Sequence, residues 1–167
     1  MSYQPIACEM ARYNKWQNET LLSVCNDLSE PDLAEDRGLF FKSILATLDH
    51  ILHVDRTLIG FFTTGKLTTF DPNVRPTTGY DAYKAARLDQ DAHILSLCNE
   101  ASPHWFEETI EFHSEKLGTT RQVPRWFYAA QMFNHQTHHR AQVTTILHTM
   151  GISYGNTDMP HNPTSPY

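Results

Sequence analysis

Four long stretches of this chain carry apolar residues at helical spacing, and this pattern constrains the fold more than any other feature. The stretches cover about residues 3–28, 39–64, 80–99 and from 123–125 to 150. In the second, Ile44, Leu48, Ile51, Val54 and Leu58 form one broad apolar stripe. Glycine and proline fall mostly between the stretches, as they do between the helices of a bundle. The sequence therefore predicts an all-α four-helix bundle with a long connection between the second and third helices.

Two regions lie outside the four predicted helices. Residues 105–122 contain the β-prone run 109–112 and a turn residue, Gly118, which fit either a short hairpin or an irregular connection. Residues 151–167 contain two glycines and three prolines, and we expect them to form an extended C-terminal tail.

Length and composition exclude several classes of protein. A chain of 167 residues suits one domain spanning 1–167, and its formal net charge of -6, without a basic cluster, argues against nucleic-acid binding. Cys8, Cys25 and Cys98 lie far apart and form no Cys-x-x-Cys motif, so we expect reduced packing residues. Neither a leader-like N-terminus nor a membrane-length apolar run is present. We expect a cytoplasmic protein with neither nucleic-acid nor membrane partners.

The fourth stretch contains three histidines at metal-ligand spacing. His135 and His139 are four residues apart, and a helical wheel places both in an apolar arc that should face the core. His138 falls instead among polar residues and is predicted to stand apart. The alternative is that His135 and His139 are ordinary core histidines with satisfied hydrogen bonds, but two of them at this spacing favour a metal site.

A third ligand must come from another segment, and the second helix offers two candidates. His50 lies at the edge of the apolar stripe, whereas His53 points toward charged neighbours, so the wheel favours His50. Asp55 falls within the stripe and needs a partner there. Arg140 or a histidine N–H could supply that partner, which would make Asp55 and Arg140 supporting residues of the site, or Asp55 could lie at a wet edge.

Motifs for other metal chemistries are absent from the sequence. It contains no His-Glu-x-x-His motif of zinc metalloproteases and no Glu-x-x-His pair of di-iron carboxylate proteins. A mononuclear three-histidine site remains the best-supported prediction.

Two blocks resemble the DinB family of metal-binding four-helix proteins, part of the DinB/YfiT-like superfamily. Residues 41–56 (FKSILATLDHILHVDR) are similar to one motif of that family, and residues 133–142 (FNHQTHHRAQ) are similar to a second, more specific one. Ala141 stands where members often have glycine, and Leu58 stands where they often have tryptophan, a difference that could alter a pocket wall.

The resemblance implies several properties beyond those read from the residues. It implies an up-down-down-up helix order, commonly a homodimer, and a divalent metal held by His50, His135 and His139. Zinc or nickel is favoured, with iron, cobalt and manganese as alternatives, because three histidines accept all of them.

The function implied by the resemblance is a metal-dependent enzyme. It would be a thiol S-transferase acting with a low-molecular-weight thiol such as bacillithiol, mycothiol or glutathione, or a small hydrolase that activates water. The competing interpretation is a stress-related bundle whose metal is structural or vestigial and which acts by associating with another protein.

Overall fold

The computed structural model describes residues 2–66, 70–114 and 118–167, and these residues form a mostly helical bundle with one small sheet. Four long helices match the four predicted stretches: α1 (Gln4–Cys25), α3 (Ile44–Thr64), α4 (Tyr80–Glu100) and α6 (Arg125–Thr149). Shorter elements fill the connections: α2 (Glu30–Ala34), α5 (Pro103–Glu107), β1 (Thr109–Ser114) and β2 (Thr119–Pro124).

Helix α3, which carries His50, begins five residues later than the apolar pattern predicts. The Ser43 hydroxyl accepts a hydrogen bond from the backbone N–H of Ala46 at 3.1 Å and caps the helix at that point. The preceding residues form a tight turn in which Leu39 bridges to Lys42, and Lys42 has a φ of 72°. The left-handed backbone of Lys42 is incompatible with a right-handed helix, so α3 cannot begin before Ser43.

Each long helix packs against two others. Helix α1 lies against α4 and α6, and α3 lies against the same two helices. Cys8, near the start of α1, donates from its thiol to the carbonyl of Cys98, near the end of α4. Arg125, at the start of α6, donates to the carbonyl of Phe62, near the end of α3. The start of α1 therefore lies beside the end of α4, and the start of α6 lies beside the end of α3.

The sheet corrects the all-α expectation. Strands β1 and β2 pair antiparallel, with Thr109 opposite Pro124 and Ser114 opposite Thr119, so the hairpin alternative for this region is the one observed. The hairpin packs on the bundle because Ile110 is buried among residues of the core. Residues 115–117 lie outside the described part of the chain.

The three cysteines are free and buried, as their sequence spacing predicts. Burial raises the pKa of Cys25 and of Cys98 to about 12, so both thiols are protonated at neutral pH. They therefore act as packing residues of the core.

The C-terminal tail lies along α1. The Tyr13 hydroxyl donates to the carbonyl of Thr157 at 2.7 Å, and the Gln17 amide donates to the carbonyl of Asn156 at 3.0 Å. A 3-10 turn, Met159–His161, interrupts the extended path. Within the described residues, none of the helices has both the length and the apolar character needed to cross a bilayer.

Candidate metal centre

His50, His135 and His139 come together between the middle of α3 and the middle of α6. One ring nitrogen from each lies within 4.8 Å of the other two, which makes the three a group that could hold a metal ion. The Nε2 atoms of His50 and His135 are 3.2 Å apart. The ring centroids of His135 and His139 are 4.4 Å apart because one helical turn separates these residues.

Burial keeps the three imidazoles neutral. It lowers the pKa of His50 to about 4, helped by the nearby His139 and Arg75. It lowers the pKa of His135 to about 3, helped by His139, His50 and His138. Burial also lowers the pKa of His139, although its hydrogen bond to Gln142 opposes the change. Neutral imidazole is the form that binds metal, because its unprotonated nitrogen carries the lone pair.

Gln142 orients His139 from the next turn of α6. Its Oε1 atom lies 2.9 Å from Nδ1 of His139, and in the tautomer that donates this hydrogen bond, Nε2 keeps a free lone pair. The amide nitrogen of Gln142 in turn lies 3.3 Å from Nε2 of His138. The expectation that His138 stands apart is therefore incomplete: its side chain is exposed, but it is linked to His139 through Gln142.

The whole chain was compared with known proteins. The model of the DinB family matches residues 1–166. The chain belongs to the DinB family. A search of curated proteins found no match.

The donor set of this DinB protein fits a divalent transition metal. Imidazole nitrogens bound tetrahedrally to one zinc ion, each at about 2.0–2.1 Å, lie about 3.3 Å apart. The separation of 3.2 Å between His50 and His135 is close to that value. Three nitrogen donors suit zinc, nickel, cobalt or iron better than magnesium or calcium, which prefer oxygen. In a four-coordinate complex, three protein ligands leave one position open.

Phe41 packs directly on the histidine cluster of the DinB protein. Its ring stacks on His50, with centroids 3.8 Å apart and planes inclined by 23°, and its centroid is 5.6 Å from that of His139. The guanidinium of Arg75 also lies over the Phe41 ring, 5.6 Å from its centroid. The stacking restricts rotation of the His50 ring, so the tight turn before α3 helps to position a candidate ligand.

A cavity of about 540 Å³ opens beside the cluster, and all three histidines line it. Six of its other lining residues are aromatic: Phe40, Phe41, Phe61, Phe70, Phe112 and Tyr128. Leu58 also lines it, in agreement with the expectation that this position forms part of a pocket wall. The lining is almost wholly apolar.

The ion-pair partner of Asp55 is Arg87 on α4. Arg87 donates to Asp55 at 2.6 Å and to Asp91 at 2.8 Å, and all three side chains are fully or almost fully buried. Burial raises the pKa of Asp55 and that of Asp91, and the Arg87 guanidinium opposes both changes. Both alternatives for Asp55 are therefore wrong: it pairs with neither Arg140 nor a histidine because α3 packs against α4 here, and it does not lie at a wet edge because it is fully buried.

Arg140 belongs to the same buried network. It donates to the side-chain oxygen of Asn14 on α1, and the Asn14 amide donates to Asp91 at 3.0 Å. Asn18 donates to the same carboxylate. Within this network two carboxylates accompany two guanidinium groups, and its members come from all four long helices. Asp55 and Arg140 thus connect the helices around the cluster and contact none of the three histidines through a described hydrogen bond.

The remaining histidines lie outside the cluster. The ring of His53 stacks on Phe70, with centroids 4.9 Å apart. The others are exposed: His93, His104, His113, His148 and His161.

Sequence reasoning missed Arg87, although the pattern of the third helix contains evidence for it. Tyr83, Arg87, Asp91, Ile94 and Cys98 recur at helical spacing and share the buried face of α4. Two opposite charges four residues apart on an apolar face indicate a buried ion pair. No comparable sequence pattern indicates the roles of Gln142 and Phe41 beside the histidines.

Proposed function

We propose that this DinB protein is a metal-dependent enzyme that activates a small thiol, or water, at His50, His135 and His139. The single observation that supports this most is the convergence of the three imidazoles beside a cavity large enough for a substrate. A divalent ion held there would lower the pKa of a thiol or water bound in its open position, making a nucleophile at neutral pH.

The residues around the site have distinct roles in this proposal. The three neutral imidazoles would hold the ion, and Gln142 and Phe41 fix the orientation of His139 and His50. No aspartate or glutamate lines the described part of the cavity, so no carboxylate base is available there. In a thiol transfer the S–H proton would pass to solvent, and the sulfur would bond to the acceptor as its leaving group departs.

The helix order is part of the same proposal. The contacts between Cys8 and Cys98 and between Phe62 and Arg125 support antiparallel pairs, and the ring contact between Tyr3 and Trp126 supports a parallel arrangement of α1 and α6. Together they support an up-down-down-up bundle, in which α3 and α6 present histidines at the same level. A homodimer is proposed on the resemblance alone.

Metal analysis of protein purified without an affinity tag tests the proposed site. We expect about one ion per wild-type chain and a loss of most of it in His50→Ala, because two imidazoles hold a divalent ion weakly. The matched control is His148→Ala, which removes an exposed histidine from the last turn of α6. Wild-type protein that is metal-free and takes up neither zinc nor nickel would contradict the proposal.

Removing the side-chain amide of Gln142, which orients His139, should weaken metal affinity without abolishing it. We expect Gln142→Leu to weaken zinc affinity about 10- to 100-fold, because an unsupported imidazole is less basic and less well aligned. Competition with a chromophoric chelator measures the affinity. Gln122→Leu, an exposed glutamine of β2, is the control and should leave it unchanged. Equal affinities in the two variants would remove Gln142 from the proposal.

Turnover assays distinguish the hypothesis of a metal-dependent enzyme from the hypothesis of a bundle that acts by associating with another protein. Metal-loaded protein is screened for thiol transfer to electrophiles and for hydrolysis, and activity lost in His139→Ala supports the enzyme. Full metal loading with neither activity would favour a bundle that acts by association with another protein.

A further inference from the structure

The cavity beside the three histidines is lined in a way that restricts what it can bind. Among the described residues its walls contain no lysine, arginine, aspartate or glutamate. Apart from the histidines, the described lining residues with polar side chains are Thr57, Gln131 and Tyr128. The guanidinium of Arg75 lies over the Phe41 ring, but Arg75 is exposed and is not one of the residues that line the cavity. A carboxylate or phosphate entering this space would therefore lose its hydration without a cation in the cavity lining to pair with, which is costly.

One wall of the cavity consists of three rings in mutual contact. The centroids of Phe61 and Tyr128 are 4.8 Å apart with planes at 85°, and Phe112 lies 5.9 Å from Phe61 and 5.6 Å from Tyr128. Such tilted and edge-to-face contacts hold each ring in place, so the wall is rigid and offers ring faces and edges to a ligand. The rings come from α3, β1 and α6, and the hairpin therefore contributes to the binding surface.

The volume fits a small molecule. About 540 Å³ lies within the range of roughly 300–1,000 Å³ that ligand pockets occupy. Phe40, at the tight turn before α3, lines the same cavity while its side chain is 84% exposed. An exposed aromatic ring at the edge of an apolar cavity extends the surface that can contact an apolar ligand.

We propose that this cavity takes an uncharged, apolar compound of one or two aromatic rings, with its reactive atom directed toward His50, His135 and His139. This rests on the proposed function for the role of the histidines, and it assigns the cavity to the acceptor molecule. A charged small thiol is not assigned to this cavity, because the described walls offer its carboxylates no cationic partner.

Calorimetric titration with two matched probes tests the assignment. The probes are 1-naphthalenemethanol, which is neutral, and 1-naphthoate, which has the same ring system and a negative charge. Chelator-treated full-length protein is used first, because a bound ion could attract the carboxylate directly. We expect the alcohol to bind about tenfold more tightly than the carboxylate or better, since burying an unpaired charge opposes binding.

Two tryptophan variants locate the binding. Leu58→Trp fills part of the cavity from α3 and should weaken binding of the alcohol about tenfold or more, since the larger side chain takes ligand volume. Leu88→Trp makes the same change at a leucine of α4 that is 40% exposed and lies outside the cavity, and it should leave binding unchanged. Circular dichroism checks that both variants are folded.

A measurement on wild-type protein keeps the test independent of the variants. The alcohol should shift the methyl NMR signals of Val54 and Leu58, which line the cavity, and leave those of Leu88 unmoved. Equal or tighter binding of the carboxylate, unchanged binding in Leu58→Trp, or methyl shifts confined to other sites would overturn the inference. Selective binding of the alcohol without any metal uptake would contradict the proposed function and leave this inference standing.

Discussion

Replacing Arg87 with methionine is expected to lower the free energy of unfolding by about 3–5 kcal/mol, a large fraction of the stability of a single domain. Arg87 donates to Asp55 and Asp91 in the centre of the bundle, where none of the three side chains is more than 1% exposed. Methionine fills much of the same space, but it leaves two carboxylates buried without their cation. Chemical denaturation at pH 7 measures the loss.

The pH dependence of this variant identifies the cause. Burial raises the pKa of both carboxyls in the folded state, and removing Arg87 removes the group that opposes this rise. The folded variant then binds more protons than the unfolded chain above the ordinary aspartate pKa of about 4. The stability lost relative to wild type should therefore be smaller at pH 5 than at pH 7.5.

Two controls accompany the Arg87 measurement. Arg12→Met breaks a partly exposed pair with Glu9 and should change stability by less than about 1 kcal/mol. Adding Asp55→Asn and Asp91→Asn to Arg87→Met neutralises the two carboxylates that lost Arg87, leaves Arg140 as the one charged group of the network, and should recover part of the loss. A loss below about 1 kcal/mol in Arg87→Met, or no recovery in the triple variant, would show that charge burial is not the cause.

Zinc is expected to stabilise the folded protein by about 4 kcal/mol when free zinc exceeds its dissociation constant 1,000-fold. For a chain of this size, such a gain raises the melting temperature by about 8–16 °C. The reason is that α3 and α6 bring together three imidazoles that could hold the ion, an arrangement that the unfolded chain does not offer. Thermal unfolding with and without zinc, and after adding a chelator, measures the shift.

The variant His139→Ala should lose most of this stabilisation, and His148→Ala should keep it. An equal shift in both would place zinc at some other site and would count against the three-histidine cluster. Repeating the series with nickel, cobalt, iron(II) and manganese should give the smallest shift for manganese, because nitrogen donors bind it most weakly.

Features that depend on residue spacing within one helix can be predicted well from the sequence. The pairing of His135 with His139 follows from helical geometry, and the choice of His50 over His53 depended on a single apolar stripe. The long helices could be located for the same reason, with errors of a few residues at their ends. At α3 the error was larger because the apolar pattern continues upstream of the Ser43 cap.

Contacts between helices were harder to predict, because they depend on how two helices pack and at what level. The sequence suggests Arg140, a histidine or a wet edge for Asp55, but its partner is Arg87 on α4 because α3 and α4 pack side by side there. The stacking of Phe41 on His50 depends on a tight turn with a left-handed Lys42, a conformation that residue type does not indicate. The apolar character of the cavity likewise depends on rings from three separate elements.

The attachment of the C-terminal tail has a consequence for how this segment tolerates change. The side chains of Tyr13 and Gln17 supply the donors, whereas the acceptors on the tail are the backbone carbonyls of Thr157 and Asn156. Every residue type has such a carbonyl, so substitutions at 156 and 157 preserve these two bonds. Inserting or deleting a residue between Gly151 and Asn156 would shift both carbonyls out of alignment. These two bonds thus depend on the length of the tail and not on which side chains stand at 156 and 157.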